Sequence, residues 1–250
     1  MVTIKKEYLA TLAKGVYSIV FSFSAGEDRT LTVEVKETGS GLQPVVRQTV
    51  LVNFRSASGA PSPWNNFINA SGQTTGSISN LVNTAGEYTG WSLAGDVKNQ
   101  TSQIGVPQTT GDAAWVDHEN VRRSAHLTTN NAGEYSVLTI SGLNNAYLYN
   151  IEVFSSCPNP RVTVWVVNDG EPRELECYDP GLGTNVANTT RTLKFTNVSP
   201  INGQIIVKYA KSERSNGTAY ANAMKIEEIG LEDPGLGSGG ITFDRNAANP

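Results

Sequence analysis

Two runs decide the fold class: Tyr147-Leu-Tyr-Asn-Ile-Glu-Val-Phe154 and Arg161-Val-Thr-Val-Trp-Val-Val167. Both are short, rich in β-branched and aromatic residues, and bounded by turn formers, which is what a pleated, half-buried surface selects. Tyr147 and Tyr149 sit two apart and therefore point the same way along their strand. The same chemistry recurs at residues 49–54 (TVLVNF), 135–140 (YSVLTI), 191–195 (RTLKF), 204–209 (QIIVKY) and 223–229 (AMKIEEI). Between these runs lie Ser141-Gly142-Leu143-Asn144-Asn145, Asn168-Asp169-Gly170, Ser199-Pro200-Ile201-Asn202-Gly203 and Ser215-Asn216-Gly217, each built from residues that turn a chain. The last four runs follow one another closely, which predicts antiparallel neighbours. No helical period runs through this region, although residues 117–125 suit a turn or two of helix.

Composition narrows the function. Charged residues make up 17% of the chain and the net charge is −4. Without a basic run to displace counterions, nucleic acid is excluded as a partner. No stretch reaches the roughly 18 apolar residues a membrane span needs. The two cysteines, Cys157 and Cys177, fit either a disulfide between neighbouring strands of a secreted domain or two buried free thiols.

Composition shifts at two polar, Gly-rich stretches, residues 38–44 (after Glu37) and 232–240, which read as linkers around a central domain at 45–231. Residues 1–37 contain alternating runs, with Tyr17, Ile19, Phe21 and Phe23 on one side of a strand and Leu31, Val33 and Val35 on another. The head, VTIKKEYLA followed by FSFSAG and LTVEV, and the tail ITFDRNAANP at 241–250 resemble an X-type immunoglobulin-like module found beside cellulases. Residues 1–37 match the C-terminal part of that module and 241–250 its first strand. The expectation is a chain cut from a longer modular array, with partial Ig-like β fragments at both ends and the function in the middle. Terminal strands of this kind leave edges that suit pairing within the chain or a dimer.

The central domain carries Val50-x-x-Asn53-Phe54, Pro63-Trp64-Asn65-Asn66, Thr139-x-Ser141-Gly142-Leu143, Tyr149 with Val153-Phe154-Ser155, Phe195 with Pro200 and Gly203, and Ala219-Tyr220-x-Asn222 with Ile226 and Ile229. In this order they resemble the galactose-binding-like jelly roll that accompanies secreted bacterial polysaccharide enzymes. The resemblance implies an all-β jelly-roll or β-sandwich, a noncatalytic carbohydrate-binding module, a polysaccharide ligand, a tethered catalytic domain and a secreted bacterial protein. It also allows a structural calcium ion, for which Asp96, Asp112, Asp117 and Glu227 supply hard oxygens. Fold likeness by itself does not establish a ligand. A spacer or interaction module of a surface or cellulosomal protein, without glycan binding, stays open beside it.

Sugar recognition needs an aromatic ring under the apolar face of a pyranose and polar groups around its hydroxyl rim. Trp64 with Asn65 and Asn66 offers this chemistry, and so does Trp115 followed by Asp117, His118, Arg122 and Arg123. Tyr178, beside Asp179 and Gly181, is a third candidate wall. Each has a plain alternative: Trp64 as a plug for the end of a sandwich, His118 as a structural loop residue. Trp91 and Trp165 read as core. An esterase or glycosidase reading has little to stand on, since the two histidines, His118 and His126, sit in no known nucleophile or zinc motif and no pair of carboxylates stands out.

Overall fold

The computed structural model describes residues 15–22, 28–35, 43–54, 59–68, 74–96, 99–101 and 106–232. The tail strand read at 241–250, most of both linkers and the first residues of the head lie outside this set. The chain divides into two compact units, one formed by Val45–Gly230 and the other by Met1–Pro44 with Leu231–Pro250.

In the terminal unit, strands Gly15–Ser22 and Asp28–Val35 form an antiparallel pair. The register sets Tyr17 opposite Val33 and Ile19 opposite Leu31, so the two alternating runs meet in phase.

The central unit is a β-sandwich. One sheet has five strands in the order Leu193–Val198, Leu148–Phe154, Ala223–Glu232, Gln43–Phe54, Trp64–Phe67. The other has six, in the order Arg173–Glu176, Val162–Val167, Gln204–Lys211, Ser136–Ser141, Ser92–Asp96, Thr75–Ile78. The pairing of Trp64–Phe67 with Gln43–Phe54 is parallel. The strand beginning at Gln43 takes in the last two residues of the stretch read as the first linker.

Alternation builds the core. Val50, Val52, Phe54, Tyr149, Ile151 and Met224 from one sheet meet Leu138, Ile140, Trp165, Ile205, Val207 and Tyr209 from the other, and all are buried. Each of the seven strands expected in the central domain is present, with ends that agree within a few residues apart from longer extensions at Gln43, Val198 and Glu232. Their neighbours differ from expectation. Leu193–Val198 and Gln204–Lys211 are consecutive yet lie in opposite sheets, and Gln204–Lys211 pairs instead with Val162–Val167 and Ser136–Ser141. The short connection passes from one sheet to the other, and within it Asn202 and Gly203 both take positive φ and Ile201 and Gln204 exchange backbone hydrogen bonds. A tight turn here reverses the chain between layers, not within one.

A true hairpin forms at Asn168-Asp169, where φ values of 48° and 56° and the bond from the Gly170 amide to the Val167 carbonyl at 2.9 Å define a type I′ turn. Its twist matches that of the strands it joins. Gly142, in the Ser-Gly-Leu run, adopts φ +84°, and a Cβ there would stand 2.6 Å from the Gly90 carbonyl oxygen. Both the left-handed backbone and the close approach require glycine. Gly142→Ala is expected to destabilise the sandwich by about 2 kcal/mol or more, read as a lower midpoint of urea unfolding with an unchanged slope.

Among the described residues no helix is long and apolar enough to cross a membrane.

Candidate functional site

The same alternation that fills the core leaves a second apolar cluster on the outer face of the five-stranded sheet. Leu51 lies between core residues Val50 and Val52 and so points away from the core, and the parallel register sets it beside Trp64. Phe154 and Ala223, paired across neighbouring strands, also face outward. A 3-10 turn, Gly111–Trp115, and a short helix, Glu119–Arg123, lie over this patch and contribute Ala113, Val116 and Val121. The helical turn anticipated at 117–125 is this element.

Trp64 and Trp115, 51 positions apart in the chain, meet here with ring centroids 6.1 Å apart and planes inclined by 23°. Trp64 is not in an open loop. It begins the strand Trp64–Phe67 and is only 8% exposed. Trp115 is half-buried, so its indole forms the outer layer of the stack. Its Nε1–H donates to Glu152 Oε1 at 2.9 Å, and the Lys225 ammonium lies 5.3 Å from its ring centre.

Glu152 is the hub of the polar groups around the stack. Although 5% exposed, it accepts from Trp115, from the Thr192 hydroxyl at 2.7 Å and from Lys225 Nζ at 2.7 Å. A buried carboxylate persists when its lone pairs are filled in this way. Next to it, Glu227 binds the Asn150 amide at 3.0 Å and Lys194 at 3.3 Å. Burial pushes the Glu227 carboxyl up, but Asn150, Lys225 and Lys194 outweigh it and hold the group below the usual carboxylate range. A charged strip therefore runs across the outer face beside the indole pair.

The sequence candidates distribute unevenly around this geometry. Asn65 spends its amide on the Leu51 and Val82 carbonyls and accepts from the Val82 amide. Asn66 bridges both backbone groups of Ala60 and accepts from Asn53. These two amides brace the edge strand and the loop before it. His118 caps the short helix, its Nδ1 accepting from the Asn120 amide at 3.1 Å. Arg122 Nη1 donates to the Asp117 carbonyl at 2.5 Å, while Arg123 pairs with Glu119 at 2.7 Å. Asp117, His118, Arg122 and Arg123 thus share the Trp115 segment, with the Asp117 side chain exposed. Tyr178 lies on the hairpin of Tyr178–Asp179 with Gly183–Ala187, where Arg191 Nη2 donates to its carbonyl. Trp91 and Trp165 are core residues, as their alternation predicts. His126 is buried among Phe54, Phe67 and Tyr209.

The residues missed by reading the sequence are Glu152, Thr192, Lys194 and Lys225. For Glu152 and Lys225 the signal is an opposite-charge pattern at outward positions of two strands, Asn150 and Glu152 on one, Lys225 and Glu227 on the other. It becomes visible only once those strands are known to pair. Of the acidic residues considered for calcium, Glu227 is engaged by two lysines; among the described residues no three His, Cys, Asp or Glu side chains come together to hold a metal ion. Cys157 and Cys177 come together as buried free thiols, one of the two arrangements the sequence allowed.

No family model matches the chain. It is 53% identical over 45 residues to Exoglucanase-2 of Thermoclostridium stercorarium, a stretch that covers 18% of this chain and 5% of that protein. It is 62% identical over 37 residues to a Xyloglucanase of a Paenibacillus species, covering 15% of this chain and 4% of that protein. The chain thus spans about a twentieth of the length of these curated relatives. Among solved structures, a family 35 carbohydrate-binding module from an environmental isolate covers 51% of this chain and 83% of its own, at 18% identity and a TM-score of 0.28. TmCBM61 in complex with beta-1,4-galactotriose covers 60% of this chain and 92% of its own, at 15% identity and a TM-score of 0.26.

Proposed function

We propose that the central sandwich is a noncatalytic carbohydrate-binding module that holds a polysaccharide-degrading enzyme on its substrate. The observation that carries this reading is the Trp64–Trp115 stack, whose outer ring is partly exposed and lies beside Glu152 and Lys225. An indole fixed by a partner ring below and a hydrogen bond at its nitrogen loses little freedom on binding. It presents the apolar surface a hexose face needs, while Asp117, His118 and Lys225 supply donors and acceptors for the hydroxyls. The short matches to an exoglucanase and a xyloglucanase support a plant cell-wall glucan as the ligand class and a secreted bacterial setting. In such a protein the module works by raising the local concentration of a tethered catalytic domain.

Affinity electrophoresis through gels containing xyloglucan or a soluble β-glucan tests the reading. Retardation of the wild-type protein is expected, and Trp115→Ala should weaken binding about 10-fold or more, as loss of a central aromatic anchor does. Trp115→Phe keeps a ring and should retain part of the affinity. The melting temperature of each variant separates lost binding from lost folding.

A spacer role is the second reading. It is favoured by the burial of Trp64 and by the use of Asn65 and Asn66 as structural braces. It predicts that neither polysaccharide retards the protein, wild type or variant.

A further inference from the structure

At one end of the sandwich the chain leaving one sheet meets the chain leaving the other at a pair of thiols. Cys157 follows the strand Leu148–Phe154 of the five-stranded sheet, and Cys177 follows Arg173–Glu176, an edge strand of the six-stranded sheet. The Cys157 amide donates to the Cys177 carbonyl at 2.8 Å, so the two backbones lie alongside each other. Both residues are fully buried, and their side chains belong to one cluster. Val106, Ala125, Ala187 and Tyr220 close around them as a small core of their own.

The surroundings favour sulfur chemistry over inert packing. The Thr163 hydroxyl lies 3.4 Å from Cys177 Sγ. Arg161 buries Nε and Nη1 with no hydrogen-bond partner, and its charge acts on both sulfurs. Burial pushes the Cys177 thiol up, but Cys157, Thr163 and Arg161 together outweigh it and hold Cys177 low, while Cys157 is raised.

We propose that Cys157 and Cys177 are an oxidation site that closes, in an oxidising compartment, into an intrachain disulfide stapling the two sheets at this end of the sandwich. With a small-molecule disulfide such as oxidised glutathione as oxidant, the Cys177 thiolate attacks one sulfur and expels a glutathione thiolate. The Cys157 sulfur then attacks Cys177 in the mixed disulfide and expels the second. The two thiol protons leave with the two released thiolates, so one disulfide is reduced as another forms. Because the folded chain seals both sulfurs from solvent, the bond forms while the chain folds, and afterwards it is shielded from reductants. The proposal is independent of the glycan-binding reading.

The test is to refold the full chain from denaturant in a glutathione redox buffer and, in parallel, in dithiothreitol. The oxidised product should be lighter by two hydrogen atoms and carry no thiol titratable in denaturant. Its non-reducing digest should contain a peptide bearing Cys157 joined to one bearing Cys177. It should melt roughly 5–10 °C above the reduced form, since a bridge across about 20 residues removes unfolded-chain freedom. Cys157→Ser and Cys177→Ser should each abolish this difference and leave one titratable thiol. Two free thiols after refolding in the redox buffer, or a bridge found only between chains, would overturn the proposal, and the wild-type comparison decides the matter even if both variants fail to fold.

Discussion

Trp165→Ala should cost the central sandwich about 3–5 kcal/mol, a large share of what a single domain has to lose. Trp165 is fully buried and lies in Val162–Val167, one strand in from the edge of the six-stranded sheet. Its ring packs against Tyr209 with centroids 5.3 Å apart. Its Nε1–H reaches Ser155 Oγ at 3.2 Å, on the segment that leaves the opposite sheet after Phe154. One side chain therefore fills the interface and joins both layers. Truncation leaves a cavity that rigid strands cannot collapse into, and it strips a fully buried serine of its donor. Trp165→Phe separates the contributions, because it keeps most of the volume and loses only the N–H. Urea unfolding of the two variants should place Phe much nearer to wild type. Equal losses would mean that the hydrogen bond to Ser155, and not packing, is what Trp165 supplies.

Residues such as Trp165 mark what the sequence makes legible. Its place in an apolar, β-branched run assigns it to a buried strand without further knowledge, and Leu138, Ile140, Ile205 and Val207 are placed by the same period of two. Turn chemistry is legible to the same degree, since Asn168-Asp169 and Asn202-Gly203 each demand positive φ. What stays hidden is partnership. Nothing local distinguishes a turn that makes a hairpin, as at Asn168-Asp169, from one that carries the chain to the other layer, as at Asn202-Gly203. Sheet membership depends on which apolar faces fill the shared interior. The candidate site suffers most from this. Trp115 and Trp64 each stand out as aromatic residues in polar settings, but their contact, and the burial of Trp64 that comes with it, arises from a turn folding back over a distant edge strand. Asn65 and Asn66 look equally suited to sugar hydroxyls or to backbone groups, and the geometry of the loop at Gly59 and Ala60 takes Asn66 while Leu51 and Val82 take Asn65. A lone Glu152 within an apolar strand passes for a solvated outward position until Lys225, on the neighbouring strand, is set opposite it.

Glu152→Ala should therefore do double damage, lowering stability by about 3 kcal/mol and loosening the indole proposed to carry the sugar. Three donors lose their acceptor at once. Charge-assisted hydrogen bonds contribute more than neutral ones, and Lys225, only 16% exposed at its side chain, would be left with the weaker contact to Glu227 at 3.6 Å. Removing one member of a buried pair is costly because the surviving charge is desolvated without compensation. Glu152→Gln is the informative companion. It keeps an acceptor for the Trp115 N–H and the Thr192 hydroxyl but gives up the charge that holds Lys225, so its stability loss should fall between wild type and Ala. The two variants diverge further in the gel assay if Trp115 is the shelf: Gln should bind glucan within a few-fold of wild type, because the ring stays anchored, whereas Ala should bind markedly less even at temperatures where it is fully folded. If Glu152→Ala is folded and retarded as strongly as wild type, the anchoring of Trp115 has no part in binding, and the polysaccharide surface must be sought away from the outer face of this sheet.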